Sequence, residues 1–437
     1  MKLRTRILGI KRMEWSSSKG FVLATAAAAV GLGNIWRFPY IAGENGGGSF
    51  VFAYIVSVLL LGIPLMVLEM SAGRMEHGSP VKTFRLLHKR ASIFGWFVVS
   101  LTAIIMSYYF AVTGWTLGYA VESYFGLTRS FAEFTDSYTS ILYFFLVVLI
   151  SSLVVAKGVK MIEFLSKLLM PFLFLIIIFL AGYSLSLDEA SRALVFLFNP
   201  DWGSLANVGV WFLAFGQAFY SLAVGQGYLI TYGSFLSDDV NLPKSAGFVA
   251  IMETLVALLA GVIIFPIVFS FGLNPEQGTQ LAFTTLPYIF ESIPFGYYLA
   301  IMFFTLFFLA AISSCIAGME VIKTALREEF LFSHKKATFL AFAPVVPLGF
   351  LSALSFTPLG FTFLGKPFLE ILDLFAANQI VVFSALAGGG IISWTISKKE
   401  LVDSFGTRWN KFAGVSINVF RFLPILAGII LLLSWVI

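Results

Sequence analysis

The 437-residue sequence predicts an all-α integral membrane protein, and three observations predict it. The first is composition: 59% of residues are apolar against 12% charged, with a mean hydropathy of +0.92. Soluble domains carry about 25% charged residues, so this chain has too little polar surface to face water on all sides. The second is patterning, because the apolar residues gather into long stretches of about 20. That length crosses a bilayer as a helix, the form in which one segment satisfies its own backbone hydrogen bonds. The third is the placement of the positive charges on one side of those stretches. A disordered chain and a cytosolic enzyme are excluded, and the net charge of +5 calls for no nucleic acid. The single Cys315 allows no intrachain disulfide, and His77, His88 and His334 are too scattered for a zinc site.

Taken in order, the stretches are 20–42, 49–72, 92–121, 140–157 and 161–184, then 207–236, 245–272, 296–322, 337–355, 371–395 and 413–437. They make eleven predicted spans. The first is as long as a span and lacks a small-residue cleavage site after it, so it is read as a retained helix and not a signal peptide. Placing the N-terminus in the cytoplasm puts twenty-two Lys and Arg residues on that side, against Arg129, Arg192 and Lys366 outside. The expected topology is therefore N-terminus in and C-terminus out.

The chain divides into a cytoplasmic segment 1–19, a five-span half 20–184, an extracellular loop 185–206, a second five-span half 207–395, and a cytoplasmic loop with the eleventh helix, 396–437. The first span of each half is interrupted near its centre. Residues 28–34 read Ala-Ala-Val-Gly-Leu-Gly-Asn, and residues 221–227 read Ser-Leu-Ala-Val-Gly-Gln-Gly. Glycine in membrane helices also serves close helix packing. Two Gly-rich interruptions at matching positions point instead to broken helices with a binding site between them, where half-helix N-termini face an anion and freed carbonyls hold a cation.

At this point the residues resemble a known family. Gly31-Leu32-Gly33-Asn34-Ile35-Trp36-Arg37-Phe38-Pro39-Tyr40, then Glu44-Asn45-Gly46-Gly47-Gly48 and Gly62-Ile63-Pro64-Leu65 with Glu69 and Gly73-Arg74, are similar to the N-terminal signature of the neurotransmitter:sodium symporters. The likeness is greatest to their prokaryotic amino-acid transporters, which have the leucine-transporter fold. Weaker matches at Trp115-Thr116-Leu117-Gly118, Gly216-Gln217, Ala260-Gly261 and Ser313-Ser314 extend it to about residue 395. The resemblance implies a five-plus-five inverted repeat with helices 1 and 6 discontinuous and one extra C-terminal helix, where the family commonly has twelve spans.

It also implies a set of roles. One sodium site would use carbonyls of Ala27, Val30 and Ala310 with the hydroxyls of Ser313 and Ser314. A second would use the Ala29 carbonyl, the Asn34 amide, Ser221 and the carboxylate of the bound amino acid, so that cation and substrate stabilise each other. Glu253 stands in the seventh span where animal members have Asn. A fixed negative charge there would do the work of chloride, so no chloride is expected; the rival reading gives Glu253 a proton in one conformational state. Substrate would meet backbone N–H groups near Gly31 and Gly33, the Tyr109 hydroxyl, and carbonyls near Ala29, Tyr220 and Ala223. Its side chain would meet Ile105, Tyr109, Tyr220, Ala223, Gln226, Ser314 and Gly318, with Ala223 and Gly318 enlarging the cavity for a large hydrophobic or aromatic amino acid.

Two closures complete the expectation. Arg37 would pair with Asp373 outside, near Gln217 and Tyr220, and Arg12 would pair with Glu328 inside, aided by Ser234. Both are expected to be solvated pairs, worth about 0–1 kcal/mol each. The function implied is sodium-coupled import of an amino acid across the cell membrane by alternating access. The alternative is a non-transporting sensor of sodium and amino acid with the same fold. Nothing supports an enzyme, and the sequence leaves monomer and homodimer open.

Overall fold

A computed structural model describes residues 14–126, 129–237, 240–275, 282–283, 286–405 and 413–423. It is helical nearly throughout. Among the described residues, eight helices are long and apolar enough to cross a membrane, from Gly48–Glu76 through Lys89–Tyr124, Thr139–Lys157, Val159–Ser184, Leu242–Ser270, Gly296–Phe330 and His334–Phe356 to Phe368–Thr395. The first predicted span forms two helices, Ser18–Ala29 and Gly33–Glu44, bent by 42° at the break between them. The sixth is also in two pieces, Val208–Ser221 and Tyr228–Gly233. Of the eleventh, the described part is the helix Ala413–Leu423; the predicted continuation to 437 lies outside the described residues.

Burial sorts these helices into an inner pair and an outer wall. Every residue from 24 to 43 and from 216 to 236 is buried, so both broken segments run through the centre of the molecule. The fourth predicted span, by contrast, exposes Leu142, Phe145, Leu146, Leu149, Ile150 and Leu153. That apolar stripe suits contact with lipid, where exposure of leucine carries no penalty. The third and eighth spans pack along each other and flank the broken pair.

Several connections carry structure that the hydropathy pattern did not single out. The expected loop 185–206 contains the helix Ala190–Phe198. Pro80–Leu87 is a short helix capped by Ser79, whose Oγ accepts the Lys82 N–H. A two-residue hairpin, Thr362–Phe363 with Lys366–Pro367, leads into the tenth span. Short amphipathic helices lack a span-length apolar run, which is why a span search passes over them.

Candidate functional site

Each break arises from its local residues. In the first, Val30 is extended (φ −81°, ψ 103°) and ends the Ser18–Ala29 helix. Gly31 must be glycine here because a Cβ would run into the Tyr109 hydroxyl and the Ser314 Oγ. The freed N–H groups are taken by side chains: Gly31 donates to Asn34 Oδ1 at 3.0 Å and Leu32 to the Tyr109 hydroxyl at 2.7 Å. In the second break, Ala223, Gly225 and Gly227 all have positive φ, at 56°, 75° and 78°. For Ala223 the left-handed conformation costs ~1–2 kcal/mol, so the surrounding structure holds it there.

Of the oxygens assigned to the first sodium site, those of Ala27, Ala310 and Ser313 come together, while the Ser314 hydroxyl meets the carbonyl of Ala28, which was not among those assigned. Ser313 Oγ donates to the Ala27 carbonyl at 2.7 Å and to the Ala310 carbonyl at 2.8 Å, and Ser314 Oγ donates to the Ala28 carbonyl at 3.0 Å. Val30 lies at the end of the same half-helix, where carbonyls are left without intrahelical partners. Carbonyl and hydroxyl oxygens of this kind suit a hard monovalent cation, whose ligands are oxygens.

Around the second assigned site the polar groups form one continuous network. Asn34 Nδ2 donates to Glu253 Oε1 at 2.8 Å and to the Glu253 carbonyl at 3.0 Å. Tyr54, on the second span, gives its hydroxyl to both Glu253 oxygens at 2.7 and 2.8 Å. Thr254 donates at 3.2 Å, and Ser221 is a further partner. The Glu253 carboxylate is thus wrapped in N–H and O–H donors. Gln217 extends the network outward: its Nε2 donates to the Gly33 carbonyl at 2.7 Å and to Ser221 Oγ at 2.9 Å, while its Oε1 accepts from Arg37 at 2.7 Å.

Between the breaks lies a cavity of about 20 Å³, lined by Ala28, Ala29, Gly33, Ile105, Tyr109, Tyr220, Ser221, Ala223, Gln226, Tyr228 and Ser314. Most residues assigned to the substrate pocket therefore face one space. Gly318 does not: the room beside it is filled by Met106 Sδ and the Tyr228 hydroxyl, so it adds nothing to the cavity. Gln226 lines the cavity but is not a free polar group, because its Nε2 donates to the Tyr220 carbonyl at 3.1 Å. That carbonyl, assigned to a substrate ammonium, already has a partner. Tyr108 and Tyr109 point apart, Tyr108 reaching the Tyr220 hydroxyl at 3.2 Å.

The outer closure is formed but is not the solvated pair expected. Arg37 Nε lies 3.6 Å from Asp373 Oδ1, with the side chains 0% and 5% exposed. Tyr40 donates to Asp373 Oδ2 at 3.0 Å, and the Arg37 guanidinium sits 5.1 Å from the Tyr220 ring centre. The pair is buried by Tyr40 and Tyr220, so removing one partner strands a charge, at a cost of about 3–5 kcal/mol.

Inside, Arg12 lies outside the described residues. Glu328 accepts the Ser79 N–H at 2.6 Å. Ser234 gives its hydroxyl to the Thr231 carbonyl at 2.6 Å, within its own turn, and so does not assist Glu328 by that hydrogen. Among the described residues the inner end is covered by Trp15, whose Nε1 donates to the Tyr232 carbonyl at 3.0 Å and whose ring packs edge-on against Tyr232 and Phe235.

Four residues of this site gave no sign in the sequence: Tyr54, Thr102, Tyr228 and Ser384. Thr102 Oγ1 donates to the Gln226 carbonyl at 2.5 Å and Ser384 Oγ to the Gly225 carbonyl at 2.5 Å. Glu69, quoted above only as part of the signature, accepts the Gly225 N–H at 2.7 Å.

Comparison with known proteins gives the same picture. The profile of the sodium:neurotransmitter symporter family matches residues 12–140 and 125–434. The chain is 37% identical to the uncharacterized sodium-dependent transporter YhdH of Bacillus subtilis over 406 residues, 90% of each chain. It is 30% identical to an uncharacterized sodium-dependent transporter of Haemophilus influenzae, covering 97% of this chain and 98% of the relative. Among solved structures, MhsT in complex with L-phenylalanine superposes with a TM-score of 0.88 at 35% identity, over 97% of this chain and 100% of that one. An all-helical membrane architecture, two broken helices around a shared polar cavity, and whole-length similarity to sodium-dependent transporters lead to one conclusion: the chain belongs to the sodium:neurotransmitter symporter family.

Proposed function

We propose that this transporter imports an amino acid, a large hydrophobic or aromatic one, by alternating access, with two sodium ions and without chloride. The observation that carries the sodium assignment is the meeting of Ser313 with the Ala27 and Ala310 carbonyls at the end of a broken helix. Sodium binding would turn those hydroxyl lone pairs inward and replace hydroxyl-to-carbonyl bonds with oxygen-to-cation contacts. The substrate carboxylate would complete the second site beside Ala29, Asn34 and Ser221, so each ligand raises the other's affinity by the same factor. The similarity to MhsT solved with L-phenylalanine supports the substrate class. Met106, behind the cavity-lining Tyr228 whose hydroxyl it meets at 3.7 Å, is suited to give way, since methionine is unbranched and adaptable.

Chloride independence rests on Glu253. A pocket of O–H and N–H donors is what a chloride ion would require, and here it holds a carboxylate built into the chain. The Glu253→Gln variant is expected to lose uptake in chloride-free buffer and regain it with added chloride; unchanged ion dependence would remove the assignment. The location proposed is the cell membrane, with the N-terminus cytoplasmic and the C-terminus outside; the placement of Lys and Arg supports that orientation.

A thermal-shift screen of the twenty amino acids in sodium or potassium tests the whole reading, because a ligand that binds the folded state stabilises it by mass action. The expected result is a sodium-dependent rise in Tm for Phe, Trp, Tyr or Leu, followed by their accumulation in proteoliposomes under an imposed sodium gradient. Saturable binding without accumulation would favour the sensor.

A further inference from the structure

The cytoplasmic end of the first span is held by a carboxylate that no part of the transport reading uses. Glu163, on the fifth span, has a side chain 4% exposed. Its Oε2 accepts the Ser16 N–H at 2.8 Å, and its Oε1 accepts the Ser16 hydroxyl and, at 2.6 Å, the Lys167 ammonium. Gly20 lies directly against this carboxyl, so that a Cβ there would meet its Oε1 and Cγ. Ser17 caps the same helix, its Oγ accepting the Gly20 N–H at 3.0 Å.

These contacts sit at one end of the 12-residue helix Ser18–Ala29, which is about 18 Å long. Its other end presents the Ala27 carbonyl to Ser313. A negative charge at a helix N-terminus and a cation at its C-terminus are both favoured by the helix dipole. The half-helix is therefore a short lever with a bend at residues 30–32, cation-binding oxygens beside the bend, and a fastening at its far end. Opening the inner side at that bend moves the far end most.

The geometry points to Glu163 as a positioning residue of the transport cycle: an inner latch that holds the Ser18–Ala29 half-helix against the fifth span and thereby keeps the first-break oxygens in place for sodium. The inference rests on the reading that sodium binds at that break. Lys167 makes the latch reversible. It is on the same helix as Glu163, four residues on, and its side chain is 41% exposed. When Ser16 leaves, the carboxylate keeps its counter-ion and no charge is stranded. Ser16 itself is exposed, so water replaces its lost bonds.

The test uses the full chain with Cys315→Ala and a reporter cysteine at Thr25, which lies on the half-helix and is 2% exposed. Water-soluble maleimide added from the cytoplasmic side labels that cysteine when the half-helix swings out. In the parent, sodium is expected to slow labelling at least threefold. In Glu163→Gln, labelling at saturating sodium should rise at least fivefold, and the sodium concentration for half-protection should rise at least threefold. Gly20→Ala, which pushes the carboxyl aside while leaving Glu163 present, should shift both in the same direction and decides the matter if Glu163→Gln fails to fold. A lowered Tm with labelling and sodium midpoint equal to the parent's would mean mere structural support and would overturn the latch. A parent whose labelling ignores sodium would count against the sodium reading instead, and the variant-to-parent labelling ratio without sodium would then judge the latch alone.

Discussion

Both broken segments tie freed backbone groups to side chains of other spans, but they draw the partners of their carbonyls from different places. At the sixth, the backbone groups freed around Gly225 and Gln226 are tied to side chains from other spans: Glu69 takes the Gly225 N–H, Ser384 the Gly225 carbonyl and Thr102 the Gln226 carbonyl. At the first, the carbonyls of Ala27 and Ala28 are met by the hydroxyls of Ser313 and Ser314, groups that a cation can replace. The difference teaches that a break can be a fixture or a switch depending on its partners. At the first break two adjacent hydroxyls of one span can turn together from donor to ligand oxygen by rotation, whereas at the sixth the Thr102 and Ser384 hydroxyls and the Glu69 carboxylate come from three different spans.

The largest effect expected from this contrast is at Gly225. Its φ of 75° and a Cβ position only 2.5 Å from the Ala385 backbone nitrogen leave no room for a side chain. Gly225→Ala should cost roughly 3 kcal/mol or more, by strain plus collision, and size-exclusion profiles should show loss of folded protein. If it folds and transports normally, the sixth break is not a fixture. Next is Ser313→Ala at the first break, which should raise half-saturating sodium for uptake about tenfold, or about 1.4 kcal/mol, with Tm little changed in the absence of sodium. The smallest effect is at Ser384→Ala, expected to lower Tm by an amount corresponding to about 1 kcal/mol while leaving the sodium midpoint within a factor of two. A sodium shift at Ser384 as large as at Ser313 would erase the distinction between the breaks.

Much of the fold was legible because hydrophobic span length is a one-dimensional property. Both interruptions could be found as well, since Gly31, Gly33, Gly225 and Gly227 lie within otherwise apolar runs. The grouping of Asn34, Ser221 and Glu253 came through resemblance, and the geometry brings those three together. What stayed hidden was partner choice. Tyr54 and Thr102 look like ordinary span residues until three helices converge on one carboxylate or one carbonyl. Gln226 reads as a pocket amide, yet from within the break it serves the Tyr220 carbonyl at the end of the preceding half-helix. Gly318 reads as empty space, yet Met106 and Tyr228 fill it.

By itself, then, the sequence determined that the chain lives in a bilayer, which stretches are apolar enough to be candidates for crossing it, and where two of them come apart. Those follow from local chemistry: hydropathy over some twenty residues and glycine in place of side chains. Only the tertiary structure decided which freed backbone groups are tied down and which can trade a hydroxyl for a cation. It also decided that the Arg37–Asp373 closure is buried. These depend on side chains far apart in the chain meeting at hydrogen-bond distance, which no pattern along the chain encodes.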